Sequence, residues 1–133
     1  MYLLDTNACI DFLERRSEVL VARIGETFGK LAVSTIAAGE LFVGSRRSTD
    51  PDGDRRKVEV FLAGVDVHAF DLVMARAYGE AIQSVGVRRK SFDRLIGVQA
   101  ATLGLVLVTR NGKDFADVPG LRVEDWTVAK SFR

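Results

Sequence analysis

The sequence has few of the residues that build disulfides, zinc sites or histidine-based active sites. Its 133 residues include one cysteine, Cys9, and one histidine, His68. Within this chain, a single cysteine excludes a disulfide and a cysteine-rich zinc site, and a single histidine excludes a mechanism that pairs two histidines. Both side chains are therefore expected to be structural, Cys9 as a small core residue and His68 within a strand.

An excess of charge of one sign and long apolar runs are missing as well. The 19 Lys and Arg against 18 Asp and Glu leave a net charge of +1, so any nucleic-acid site depends on local clustering. No apolar run approaches the roughly 18 residues of a membrane span. Because no basic leader precedes Asp5, we do not expect the protein to be secreted. We expect it in the reducing cytoplasm. The length fits one domain, residues 1–133, of the usual size of roughly 100–150 residues.

Short apolar runs alternate with amphipathic patterns along the whole chain. Strands are predicted at residues 2–4, 31–33, 65–69, 105–108 and 122–124. Helices are predicted around residues 10–13 with Asn7 available as the cap, through 19–24, at 36–43 after Ser34 or Thr35, at 55–62 after a loop at 49–54, from Asp71 to about Val85, and at 92–103 between Ser91 and Gly104. This alternation predicts a three-layer α/β/α fold with a central parallel sheet.

Acidic and amide side chains fall where predicted strands end or the following helices begin. Asp5 follows the first strand, and Asn111 and Asp114 follow the fourth. Glu40 and Asp93 lie in the first turns of two helices. Because ligands of open parallel sheets bind at the carboxyl ends of the strands, we expect these side chains to gather at one edge. Oxygen ligands without cysteine or histidine suit Mg²⁺ or Mn²⁺, which predicts metal-dependent hydrolysis of a phosphodiester.

Each acidic residue also has a structural interpretation. Asp5 is in position to make an Asx turn with Asn7, and Asp93 favours a helix start on electrostatic grounds. Glu40 is expected in a largely buried helix, where an unpaired carboxylate is unfavourable. Two other classes therefore stay open: a phosphatase of small phosphate esters, since Asp5 to Asn7 is similar to the Asp-x-Asp signature with its second aspartate replaced, and a non-catalytic module that binds a partner protein.

The chain resembles PIN-domain ribonucleases over its whole length, and most closely the toxin component of VapBC-type toxin–antitoxin pairs. The similarity lies in LLDTN at 3–7, STIAAGEL at 34–41, FDRLIGVQA at 92–100, LVTRNGKDF at 107–115 and PGLRVEDW at 119–126. It implies that Asp5, Glu40 and Asp93 take the family's acidic, metal-binding positions. Many PIN domains have an aspartate where this chain has Asn111, so either Asp114 supplies the fourth charge or three carboxylates suffice.

The same resemblance implies an activity and partners. The expected activity is cleavage of transfer, ribosomal or messenger RNA with Mg²⁺ or Mn²⁺. The expected partners are an antitoxin, whose C-terminal segment wraps the surface and obstructs the site, and a second copy of the chain in a homodimer. Thr6 and Thr109 are expected to orient a ligand or water through their hydroxyls. A basic cluster, Arg88, Arg89, Lys90 and Arg94, adjoins Asp93 and is expected to steer an RNA backbone, although solvated basic faces are common.

Overall fold

The computed structural model describes residues 1–85 and 92–129. The strands are β1 Tyr2–Leu4, β2 Leu31–Ser34, β3 Asp66–His68, β4 Val106–Val108 and β5 Val123–Glu124. The helices are α1 Thr6–Leu13, α2 Glu18–Thr27, α3 Thr35–Arg46, α4 Pro51–Ala63, α5 Leu72–Val85 and α6 Phe92–Leu103, with 3₁₀ turns at Phe28–Lys30 and Gly112–Phe115. None of the described helices has the length and apolar character needed to span a bilayer.

The strands form one parallel sheet in the order β3-β2-β1-β4-β5, with β1 at its centre. Leu3 pairs with Ala32 on one side and Leu107 on the other. Successive residues of a strand point to opposite faces, yet Leu3 and Leu4 are both fully buried. Helices therefore cover both faces of the sheet, which confirms the predicted α/β/α architecture.

Polar caps set where several helices begin. The Oδ1 atom of Asp5 accepts a hydrogen bond from the backbone N–H of Ala8, at 2.7 Å, so α1 starts at Thr6. The predicted cap at Asn7 is therefore wrong, because Asn7 already lies in the first turn. Ser34 caps α3 as predicted, through a 3.1 Å hydrogen bond from the N–H of Ile36.

Helix α4 starts earlier than its apolar spacing indicates. Asp50 caps it and Pro51 occupies its first turn, a favourable place for a residue without an N–H group. Residues 51–54, predicted as loop, are helical because the proline and the first-turn aspartates favour a helix start over a turn. The predicted cap at Ser91 lies outside the described residues.

The C-terminal segment is anchored to the sheet by Trp126, whose side chain is 1% exposed. Its Nε1 donates to Oε1 of Glu124 at 2.9 Å. The guanidinium of Arg23 lies over the indole, 4.9 Å from the ring centroid, and Tyr2 meets the same indole edge to face. A cation–π contact and an aromatic pair thus hold this segment beside β1.

Candidate active site

The candidate site lies where two neighbouring strands, β1 and β4, end at the carboxyl edge of the sheet. The N–H of Asp5, directly after β1, donates to the carbonyl oxygen of Val108 at the end of β4, at 3.1 Å. The N–H of Thr109, directly after β4, donates to the carbonyl oxygen of Glu124, at 3.0 Å. Asp5 and Thr109 are each 2% exposed, so the sheet places two buried polar side chains next to each other at its carboxyl edge.

The carboxyl group of Asp5 is held by hydrogen bonds. Besides the Ala8 N–H, it accepts one from the side chain of Thr109, whose Oγ1 also accepts from the N–H of Asn111 at 3.0 Å. Burial raises the pKa of Asp5 from 3.8 to about 6, with a smaller upward contribution from the charge of Asp93. The hydrogen bonds and the charge of Arg110 act in the opposite direction. Asp5 is thus a fixed carboxyl group whose anion is poorly stabilised by its surroundings.

Asp5, Asp93 and Asp114 are linked by electrostatic interactions and form the acidic cluster. Asp93 lies in the first turn of α6. Its pKa is raised by burial and by the charge of Asp114, which is exposed on the 3₁₀ turn after β4. A Cβ atom added to Gly97, one turn further along α6, would lie 2.7 Å from the ring of buried Phe115. The absence of a side chain at Gly97 therefore lets the turn that carries Asp114 pack against the helix that carries Asp93.

Glu40 is hydrogen-bonded to the first residue of α1, which follows Asp5 directly. The hydroxyl of Thr6 donates to Oε1 of Glu40 at 2.7 Å, so Thr6 positions a neighbouring carboxylate. The expectation of a largely buried helix around Glu40 is wrong. Glu40 is half-buried, and Phe42 and Val43 are 36% and 52% exposed, because α3 buries one narrow face that consists mainly of small residues.

The side chains at this edge suit a hard divalent cation. Asp5 and Asp93 are carboxylates whose charges repel each other, and a cation bound between acidic groups relieves such repulsion. Asn111 and Thr109 add further side-chain oxygen atoms directly after β4. Over residues 1–85 and 92–129, no three histidine, cysteine or acidic side chains lie close enough together to form a complete metal-binding group.

One member of the predicted basic cluster, Arg94, lies within the described residues. Arg88, Arg89 and Lys90 lie outside the described residues. Arg94 is 7% exposed. Its guanidinium forms an ion pair with Asp117, with Nη2 2.5 Å from Oδ2. Arg94 therefore packs inside the fold instead of facing an RNA backbone.

An ion pair that the sequence patterns did not indicate lies close to the acidic site. Asp11, in α1, is 1% exposed, and its Oδ2 is 3.3 Å from Nη1 of Arg110. The only signal in the sequence was a charged residue between Ile10 and Phe12 in an apolar helix. Arg110 itself follows Thr109 directly, and its charge acts on Asp5.

A groove between α1, α3 and α4 reaches the site at Glu40. Apolar side chains line much of it: Ile10, Phe12, Leu13, Leu41, Val58 and Phe61. Basic residues lie along it as well, together with two acidic ones besides Glu40: Arg15, Arg16, Arg56, Lys57, Glu14 and Asp54. Glu40 contributes to this lining and is bonded to Thr6, so the groove extends to the start of the helix that Asp5 caps.

Comparisons with known proteins agree with this architecture. A family model of the PIN domain matches residues 2–121, which defines the class. The tRNA(fMet)-specific endonuclease VapC of Shigella flexneri is 30% identical over 129 residues, covering 95% of this chain and 98% of that protein. Ribonuclease VapC2 of Haemophilus influenzae strain KW20 is 30% identical over 128 residues, covering 94% and 97%.

A solved structure is similar at the level of the whole fold. The chain in DNA-bound VapBC from Salmonella typhimurium superimposes with a TM-score of 0.85 at 30% identity, covering 94% of this chain and 97% of that one. The chain belongs to the PIN-domain family, among its VapC ribonucleases.

Proposed function

We propose that this protein is a metal-dependent endoribonuclease that acts as the toxin of a toxin–antitoxin pair. The observation that carries the proposal is the buried Asp5 beside Asp93 at the carboxyl edge of the sheet, in a chain whose relatives are named endonucleases and ribonucleases. Two carboxylates that repel each other in a PIN fold are better explained by a bound cation than by helix capping alone. One domain, residues 1–133, would carry the whole activity.

Asp5 and Asp93 would hold Mg²⁺ or Mn²⁺, with Glu40 and Asp114 completing the acidic set. When bound, the cation polarises the scissile phosphate and lowers the pKa of a water molecule. Thr109 keeps the Asp5 carboxyl in one orientation, and Thr6 does the same for Glu40. In the hydrolysis, the water oxygen bonds to phosphorus and the 3′-oxygen of the preceding ribose leaves, so the products carry a 5′-phosphate and a 3′-hydroxyl.

Transfer RNA is the substrate class to test before ribosomal and messenger RNA. The name of the Shigella relative specifies initiator tRNA, and that relative aligns over nearly all of this chain. Arg88, Arg89 and Lys90 stay predicted RNA contacts on the strength of their position before Asp93 in the sequence. Because transfer RNA is found in the cytoplasm, the protein would act there.

The groove between α1, α3 and α4 would receive the antitoxin. Its apolar lining suits the nonpolar face of an inserted segment, and Arg15, Arg56 and Lys57 suit acidic residues beside that face. Because the groove reaches Glu40, a segment lying in it would also obstruct the site at Glu40. The homodimer implied by the family fits the exposure of Leu72 and Val73 at the start of α5, 65% and 60%.

Induced expression in a bacterial host tests the toxin proposal. Wild-type protein should arrest growth, and Asp93→Asn should not, because it removes a charge from the acidic cluster while keeping the size of the side chain. Asp66→Asn is the matched control, because Asp66 is exposed and lies at the amino end of β3, away from the carboxyl edge of the sheet. This variant should arrest growth like wild type. Arrest by Asp93→Asn at equal protein level contradicts the proposal.

A further inference from the structure

Asp11 is a buried acid outside the acidic cluster. It is 1% exposed, and neither of its carboxylate oxygens has a hydrogen-bond partner among the described residues. Its closest cation is Arg110, with Nη1 3.3 Å from Oδ2, followed by Arg16, with Nη1 4.0 Å from Oδ1. A buried carboxylate is strongly unfavourable without a nearby positive charge, so Asp11 and Arg110 fix each other's position.

Arg110 lies at the border of the acidic cluster. It follows Thr109, the residue whose side chain bonds Asp5, and it is held on the other side by Asp11 in the helix that Asp5 caps. Its side chain is 42% exposed, and the ion pair with Asp11 engages Nη1. A guanidinium carries five N–H donors in a planar fork, so Arg110 has donors left to face an incoming ligand.

We propose that Arg110, held in place by Asp11, binds a phosphate group of the RNA beside the acidic cluster. The inference rests on the proposed ribonuclease function and assigns it a phosphate-binding residue. RNA approaching several carboxylates is repelled, and a fixed guanidinium at their border offsets that repulsion for one phosphate. Arg16 is not equivalent, because it is 54% exposed and its Nη2 lies 2.6 Å from Glu14.

A purely structural role for the pair makes different predictions. If the ion pair only ties the loop after β4 to α1, its loss lowers the melting temperature and leaves RNA affinity unchanged in the folded protein. If Arg110 binds phosphate, its loss weakens RNA binding even where the fold is intact. Asp11 is then a positioning residue, and its effect must pass through Arg110.

RNA binding without catalysis separates the two roles. Fluorescence anisotropy with labelled initiator tRNA in EDTA measures affinity independently of metal and cleavage. Arg110→Gln should weaken binding about 10- to 100-fold, the range of a charge-assisted hydrogen bond, and reduce the salt slope by about one. Arg110→Lys should bind with intermediate affinity. Arg122→Gln, the same charge change at an exposed residue before β5, should bind like wild type.

The double variant tests the dependence on Asp11. Asp11→Asn alone should weaken binding although Arg110 keeps its charge, and Asp11→Asn with Arg110→Gln should bind no worse than Arg110→Gln alone. The double variant also carries no unpaired buried charge, so it keeps the test valid if a single variant unfolds. Folded Arg110 variants that bind tRNA like wild type overturn the inference and leave the ribonuclease function standing. A wild type that neither binds nor cleaves any RNA overturns both.

Discussion

Replacing Asp5 with asparagine is expected to abolish RNA cleavage in a protein that still folds. Asparagine keeps an Oδ1 atom that accepts the hydrogen bond from the Ala8 N–H, so α1 keeps its cap. What it loses is the negative charge that faces Asp93. Losing one preorganised hydrogen-bond donor of an active site typically lowers the rate by about 10²- to 10³-fold, and losing a carboxylate that would hold the metal should lie at or beyond the upper end.

The measurement is single-turnover cleavage of labelled tRNA by purified variants. Asp50→Asn is the matched control, because Asp50 also caps a helix, accepting from the N–H of Gly53, but lies on the exposed start of α4. That control should cleave at the wild-type rate. Wild-type activity in a folded Asp5→Asn protein would remove Asp5 from the active site.

The same substitution is expected to stabilise the metal-free protein, and the gain should grow with pH. The pKa of Asp5 is about 6 in the fold and 3.8 without it. Between these values the folded carboxyl keeps a proton that the unfolded one has lost, so the free energy of unfolding falls as pH rises. The full penalty, about 3 kcal/mol, is present above pH 6 and absent below about pH 4.

Asparagine carries no charge and escapes this penalty. In EDTA, Asp5→Asn should therefore match wild type near pH 4 and exceed it above pH 6 by up to about 3 kcal/mol, less whatever the cap loses. Denaturant unfolding across this pH range measures the difference. A constant difference at every pH would show that Asp5 does not sit in a site that disfavours its charge.

Adding Mg²⁺ or Mn²⁺ should reverse the order of stability at neutral pH. A ligand that binds only the folded state stabilises it by about 4.1 kcal/mol at a concentration of 1,000 times its Kd, which exceeds the penalty of about 3 kcal/mol. Wild type should gain this, and Asp5→Asn should gain little because one ligand is lost. Asp50→Asn should gain as much as wild type. An equal gain for all three proteins would place the cation elsewhere.

The fold was predictable because its central strands are buried on both faces. Runs such as residues 105–108 are apolar throughout, and strands of that kind require helices on each side. The carboxyl-edge rule then located Asp5 at the edge of the sheet, where the structure places it buried beside Thr109. These inferences need only local patterns and the handedness of parallel connections.

The remaining features depend on contacts between distant parts of the chain. The Asp11–Arg110 ion pair joins α1 to the loop after β4, and nothing in the local sequence of either residue indicates the other. Arg94 was grouped with the basic run at 88–90 and expected to steer an RNA backbone, yet its guanidinium pairs with Asp117. Periodicity predicts which face of a helix is apolar, but it does not identify the charge that a polar residue will meet.

The most direct test of the central claim is the chemistry of the RNA ends. Purified wild-type protein, incubated with initiator tRNA and Mg²⁺ or Mn²⁺, should yield discrete fragments with a 5′-phosphate and a 3′-hydroxyl, and EDTA or Asp5→Asn should prevent their formation. Fragments with 2′,3′-cyclic phosphate ends, or equal cleavage in EDTA, would contradict hydrolysis by water at a carboxylate-held metal.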